Sequence, residues 1–464
     1  MIRPLLLNII LLLLLAVNLP AQSVKLVYNS DYATIQFVKK LLDQGPSTEK
    51  DKYFVLRGLD LHTIHFLDSL RLDYLSYNLR YYDYPVGQKM PLSFFRLMEK
   101  YILDETPQMS YRTYAEGIIP EEYIAQYERM LYLFKPIYQE IVEKPYDKQI
   151  KLAMQLLNTM MEDLDVTQKL HTIAGFYGVK MKDYVIAIYP VLDNLLTTGT
   201  SFLNRGEVAL PIIHVDPRQA ISTLVHEISH LFYSDMSSRM KRVIDATVVN
   251  SPWNGSRYAN WLMDEVIATA VGNGWAYREM FNSEESGSWY YRNHYVSEAS
   301  KIIHPLVSQY IKAGRSIDIQ FINSYLEKLD RSVRRWMRDW DFLLQYREVR
   351  VPSYEYLTMV DMYYPFYYYR RYLIDNRLDE MLPTTTKMYI FSDNYEEEWK
   401  DVQKYLGEFV DSIPDFSKPF VKELVFIDRS KIILIHGDKA FVEATLQEHA
   451  SWYQYQKRRR NAKR

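Results

Sequence analysis

The stretch Val225-His226-Glu227-Ile228-Ser229-His230-Leu231 sets two imidazoles and a carboxylate at a spacing that can do chemistry. On a helix, residues four apart stand one above the other, so His226 and His230 point the same way and can grip a single Zn²⁺. Glu227 leaves that face at about 100°, placed to reach a water at the ion rather than the ion itself. It is the candidate general base.

The elements around this stretch must position it. Asp216-Pro217 supplies an N-cap and a proline for the first helical position. Ile221, Leu224, Val225, Ile228, Leu231 and Phe232 then recur at helical spacing, which predicts a core helix. A β-like run, Glu207 to Val215, precedes it; Pro211 cannot donate to a ladder, so the run is expected to be an edge strand. Val208, Ala209 and Leu210 would then pair with an extended peptide substrate by strand addition. A second helix is expected from about Arg257 to about Val271, carrying Asp264-Glu265-Val266-Ile267-Ala268. Glu265, Ala268, Thr269 and Gly272 fall along one side, which is small apart from its carboxylate. A carboxylate within an apolar segment is costly unless it is paired or coordinated, so Glu265 is the candidate third ligand.

His226-Glu227-x-x-His230 with Glu265 on the next helix resembles the gluzincin zinc metallopeptidases, over roughly Leu170 to Val271. The resemblance implies His226, His230 and Glu265 as ligands of one zinc ion, and Glu227 as the base. Neither the metzincin continuation after His230 nor the Gly-x-Met-Glu-Asn exopeptidase motif is present, and Thr269 stands where thermolysin-like enzymes have Asp. The overall likeness is to compact secreted bacterial members.

The 464 residues suffice for two or three domains. With 56 Lys plus Arg against 58 Asp plus Glu there is no charge bias, so nucleic acid is not indicated as a partner. Without cysteine there are no disulfides, thiolate metal sites or Cys nucleophile. The segment 1–21, with Arg3, an apolar run from Leu5 to Val17 and small residues to Ala21, reads as a signal peptide, and the protein as exported to a periplasmic or extracellular location.

Residues 22–165 read as a helical N-terminal region, with helices at 32–42, 61–77, 91–103, 120–142 and 148–164 and a break at Lys144-Pro145. His62 and His65 read as helix packing. The metallopeptidase core and following helices, including 295–312, 317–329 and 331–346, occupy 166–350. An aromatic linker and a small β-α-β-β-α appendage fill 351–464, ending in a basic tail that allows weak contact with an anionic membrane surface. The fold class expected is α+β, predominantly helical.

A zinc peptidase also needs a donor for the oxyanion. His294 and Tyr295 are selected from several downstream His and Tyr residues. The function read from all this is peptide-bond hydrolysis in a peptide or protein substrate. The alternative is a non-enzymatic binding or scaffold protein that retains a metallopeptidase-like fold.

Overall fold

The computed structural model describes residues 24–42, 59–70, 76–83, 88–192, 197–202, 205–211, 215–290, 293–364, 369–374, 386–407, 414–425 and 430–451. The expected signal peptide and basic tail lie outside these residues, as does part of the aromatic run 363–371. The architecture is α+β and predominantly helical. The chain forms two compact units, 1–77 with 92–235, and 78–91 with 236–464.

In the first unit, β1 (Val24–Val27) leads into α1 (Ser30–Leu41). Asn29 caps α1 by accepting the Tyr32 N–H, and Lys39 and Lys40 complement the dipole in the last turn. Next comes α2 (Leu61–Ser69), and then the strand pair β2 (Ser76–Asp83) and β3 (Gln88–Ser93), whose residues 78–91 are grouped with the second unit. The helix expected over 61–77 therefore stops eight residues early, and its end begins a strand pair. Then follow α3 (Phe94–Leu103), α4 (Glu121–Tyr138), α5 (Lys144–Asp163) and α6 (Val166–Tyr177). Lys144-Pro145 does not break the chain direction. A π-helical turn, Gln139–Glu143, joins α4 to α5, and Pro145 occupies the first turn of α5, where its missing N–H costs nothing.

The sheet of this unit adds β4 (Tyr184–Val191), β5 (Thr198–Phe202) and β6 (Arg205–Pro211), in the order β1-β4-β6-β5. β1, β4 and β6 run parallel, and β5 is antiparallel to β6. Alternation along β4 assigns its faces. Ala187 belongs to the apolar core of Tyr32, Ile35, Phe95 and Phe134, so α1, α3 and α4 lie on that side. Tyr184 faces the other way, edge-on to Phe232 and donating to Asp235 at 2.9 Å, both on α7 (Pro217–Asp235).

This sheet corrects one expectation. β6, which carries Val208, Ala209 and Leu210, is bonded on both sides, to β4 and to β5. Pro211 is its last residue, in register with Val191 of β4. The edge is β5, from the Thr- and Ser-containing segment that precedes β6.

In the second unit, α8 (Ser238–Val249) is followed by α9 (Ser256–Trp261) and α10 (Met263–Thr269). A π-helical stretch, Ala270–Ala276, runs on into α11 (Tyr277–Phe281). After α12 (His294–Lys312), capped by Asn293, α13 (Ile319–Trp336) runs through the junction expected between helices 317–329 and 331–346, and a four-residue helix, Trp340–Leu343, follows it. The buried Asp330 of α13 is paired with Arg334 at 2.7 Å. The rest comprises β7 (Tyr346–Val351), α14 (Tyr354–Tyr363), β8 (Tyr369–Ile374), β9 (Thr386–Ile390), α15 (Tyr395–Leu406), β10 (Phe420–Val425), β11 (Lys431–His436) and α16 (Lys439–His449). Their sheet runs β10-β11-β9-β7-β8, with only β10 antiparallel to its neighbour. From β9 onward the order is the expected β-α-β-β-α; β7 and β8 extend that sheet beyond it.

Candidate metal centre

Asp216 starts α7 as its sequence requires. Its side chain accepts the N–H groups of Arg218 at 3.0 Å and Gln219 at 3.2 Å, and its carbonyl takes that of Ala220. Ten residues on, the helix is buried all round: His226, Glu227 and His230 are 7%, 4% and 8% exposed. The two rings meet edge to face with centroids 4.7 Å apart, and their Nε2 atoms are 3.0 Å apart. Two nitrogens on one tetrahedral zinc at ordinary bond lengths are separated by about 3.3 Å. The helix thus brings the imidazoles to nearly the separation that one ion demands.

Glu265 lies on α10, half-buried, among the buried residues Met263, Val266, Ile267 and Ala268. Ser300 Oγ of α12 is 3.1 Å from the Val266 carbonyl and so ties the two helices together one residue past Glu265. The widened π turn that follows is the kind of irregularity often found beside functional groups. Gly274 within it lets α12 approach: a methyl there would come to 2.8 Å from His304 Cδ2 and 2.9 Å from Trp289 Cζ3. His226, His230 and Glu265 each offer one ligand atom, all within 4.8 Å of one another. Among the described residues this is the group able to hold a metal ion.

The donor set fits zinc. Two imidazole nitrogens and one carboxylate oxygen make up three protein ligands, the number that leaves a position for water or substrate.

Below α7, Glu227 lies across the strands. A carbon added at Gly206 of β6 would be 3.9 Å from its Cβ. Sequence reasoning assigned no role to the next residue, Glu207. It is buried, receives the Tyr32 hydroxyl, and has Arg96 Nη1 at 3.5 Å. Burial first, and then the charge of Glu227, push its carboxyl up to about 8. A signal was present: Glu207 opens an otherwise apolar run, and such a carboxyl needs either a partner or a proton. Behind it, Glu99 is fully buried. Burial opposes its charge, but Arg96 at 2.8 Å and Lys39 hold it below the usual carboxylate range, and Gln36 donates to it at 2.8 Å. Burial in turn lowers Lys39 to about 8, against the pull of Glu99.

The two oxyanion candidates have other surroundings. Tyr295 is buried against Trp336 and Phe342, with its hydroxyl 3.3 Å from Asp339. The His294 ring lies tilted at 38° to that of Tyr295, with centroids 3.8 Å apart, and burial lowers its pKa. Neither belongs to the His226–His230–Glu265 group.

No family model matches this chain, and no curated protein or solved structure is similar to it.

Proposed function

We propose that the protein is a zinc-dependent peptidase of the gluzincin type. The observation that carries this reading is the convergence of His226, His230 and Glu265 within 4.8 Å, with Glu227 one residue along the same helix. His226, His230 and Glu265 would hold the ion. When bound there, zinc supplies Lewis acidity toward a carbonyl and brings the pKa of water toward neutrality.

The chain's own residues do the rest. The Glu227 carboxylate takes a proton from the water that attacks the scissile carbonyl and returns it to the departing amine. The substrate is a peptide in extended form. It adds to the side of β5 that has no strand partner among the described residues, the other side being bonded to β6, and main-chain hydrogen bonds hold it in register over Glu227. Burial of the motif helix keeps bulk water from competing for the transferred proton.

Glu227→Gln tests the reading. It preserves size and hydrogen bonding but removes the base. Zinc content should stay at one ion per chain, while hydrolysis of a broad peptide pool falls by about 10²-fold or more. Equal turnover by wild type and variant at matched zinc occupancy would remove Glu227 from the mechanism. No turnover by either would favour a binding protein that keeps the metal site.

A further inference from the structure

Glycine weakens a strand, so its presence mid-strand calls for a reason. Gly199 is the second residue of the edge strand β5 and pairs with Val208 of β6. Its φ is not among the positive ones, so the backbone conformation does not require glycine. The space does. A methyl carbon at Gly199 would lie 2.5 Å from Oε1 and 2.6 Å from Cδ of Glu227, and closer still to Cγ. Ordinary contact between carbons needs about 3.5–4.0 Å. The strand alternation that turns Gly199 toward α7 also turns Val208 and Gly206 that way. At Gly206 an added carbon would stand 3.9 Å from Glu227 Cβ, an ordinary contact. The stem of Glu227 thus tolerates its neighbours, while its carboxyl end occupies the place where a side chain on residue 199 would be.

We propose that Gly199 is a positioning residue for Glu227, its missing Cβ forming the seat that fixes where the carboxylate stands. Any side chain at this position turns the carboxyl aside. Because the displaced group is the flexible end of a side chain, the fold survives and the loss falls on the chemistry. The catalytic consequence rests on the peptidase reading; the seat itself does not.

The test is a double-mutant cycle on the full zinc-loaded chain: wild type, Gly199→Ala, Glu227→Ala and the double variant. Melting temperature is read first. Gly199→Ala should lower it by a few degrees when Glu227 is present and leave it unchanged or raised when residue 227 is alanine. The same shift in both backgrounds would overturn the proposal. If Gly199→Ala fails to fold, folding of the double variant supports the seat, and failure of both overturns it.

Turnover is read second, at one zinc per chain. Gly199→Ala should lower kcat by about 10²-fold, the scale for a misplaced catalytic group, with KM unchanged. It should cause no further loss in a Glu227→Gln background. Unchanged kcat despite a coupled melting temperature would overturn the positioning role. If the wild type hydrolyses no peptide, the peptidase reading falls, and the melting cycle alone decides whether Gly199 seats Glu227.

Discussion

The five-stranded sheet buries its charges in opposite pairs, whereas the motif helix gathers ligand donors and carboxyls at one place. On β7, Arg350 lies 2.6 Å from Glu398 and over the ring of Tyr389. Arg347 is fully buried, donates to the carbonyls of Tyr364 and Leu344, and is paired with Asp361. Glu348 stands in register with Lys387 of β9, both without exposure. Such a region is electrically complete without help from outside. On α7 and α10, two imidazole nitrogens and a carboxylate oxygen converge, and Glu207 beneath them is pushed toward its neutral form. Under the proposed function, donors collected in this way are balanced by a cation. Burial of charge is common to both regions; they differ in that the sheet's charged groups meet opposite partners, while the two imidazoles and the Glu265 carboxylate converge on one another.

The largest effect should come from the side that needs the cation. Replacing His226, His230 or Glu265 by Ala should abolish stoichiometric zinc, because three ligands leave no redundancy. The melting temperature should fall to that of chelator-treated wild type, since the bound ion stabilises only the folded form. Metal analysis checks this, and full zinc at unchanged affinity in Glu265→Ala would place the third ligand elsewhere. On the paired side, Glu398→Ala strands Arg350 in the interior. It should cost about 3–5 kcal/mol in urea unfolding, the usual scale for breaking a buried pair, while zinc per folded chain stays at one. A cost under about 1 kcal/mol would mean that the sheet does not depend on this pair.

What the sequence made legible follows the same division. The motif helix could be read because its cap, its proline and its apolar period all agreed, and Asp216 does cap α7. Glu265 could be picked out because a carboxylate in an apolar helix needs a partner, and it does lie with His226 and His230. β7 could not. Tyr346-Arg347-Glu348-Val349-Arg350-Val351 looks polar and continues a helical pattern, yet all six residues are buried, their charges answered by residues distant in the chain. The edge strand was misassigned for a related reason. Pro211 suggests an unpaired side but ends β6, and the edge is a Thr- and Ser-containing segment without apolar alternation. The contact of Gly199 with Glu227 has no local signature at all, because it joins a strand to a helix across 28 positions.

The sharpest test of the comparison concerns Glu207. Its carboxyl is raised from the ordinary 4.5 to about 8, by burial and by the charge of Glu227. Between those values the unfolded chain has released this proton and the folded chain still holds it. Unfolding then releases a proton, so stability falls as pH rises. The contribution is fully present below about pH 4.5 and is lost as pH rises through the folded value near 8, with a limiting slope of about 1.4 kcal/mol per pH unit. Glu207→Gln keeps an acceptor for the Tyr32 hydroxyl and removes the titration. In urea unfolding from pH 5 to pH 8, the variant should lose less stability than wild type, and the gap between them should widen toward pH 8. Parallel curves would mean that Glu207 is ionised in the fold, held so by Arg96 at 3.5 Å. Glu207 and Arg96 would then form another opposite-charge pair of the kind found on β7, and the division between the two regions would stop at the metal ligands.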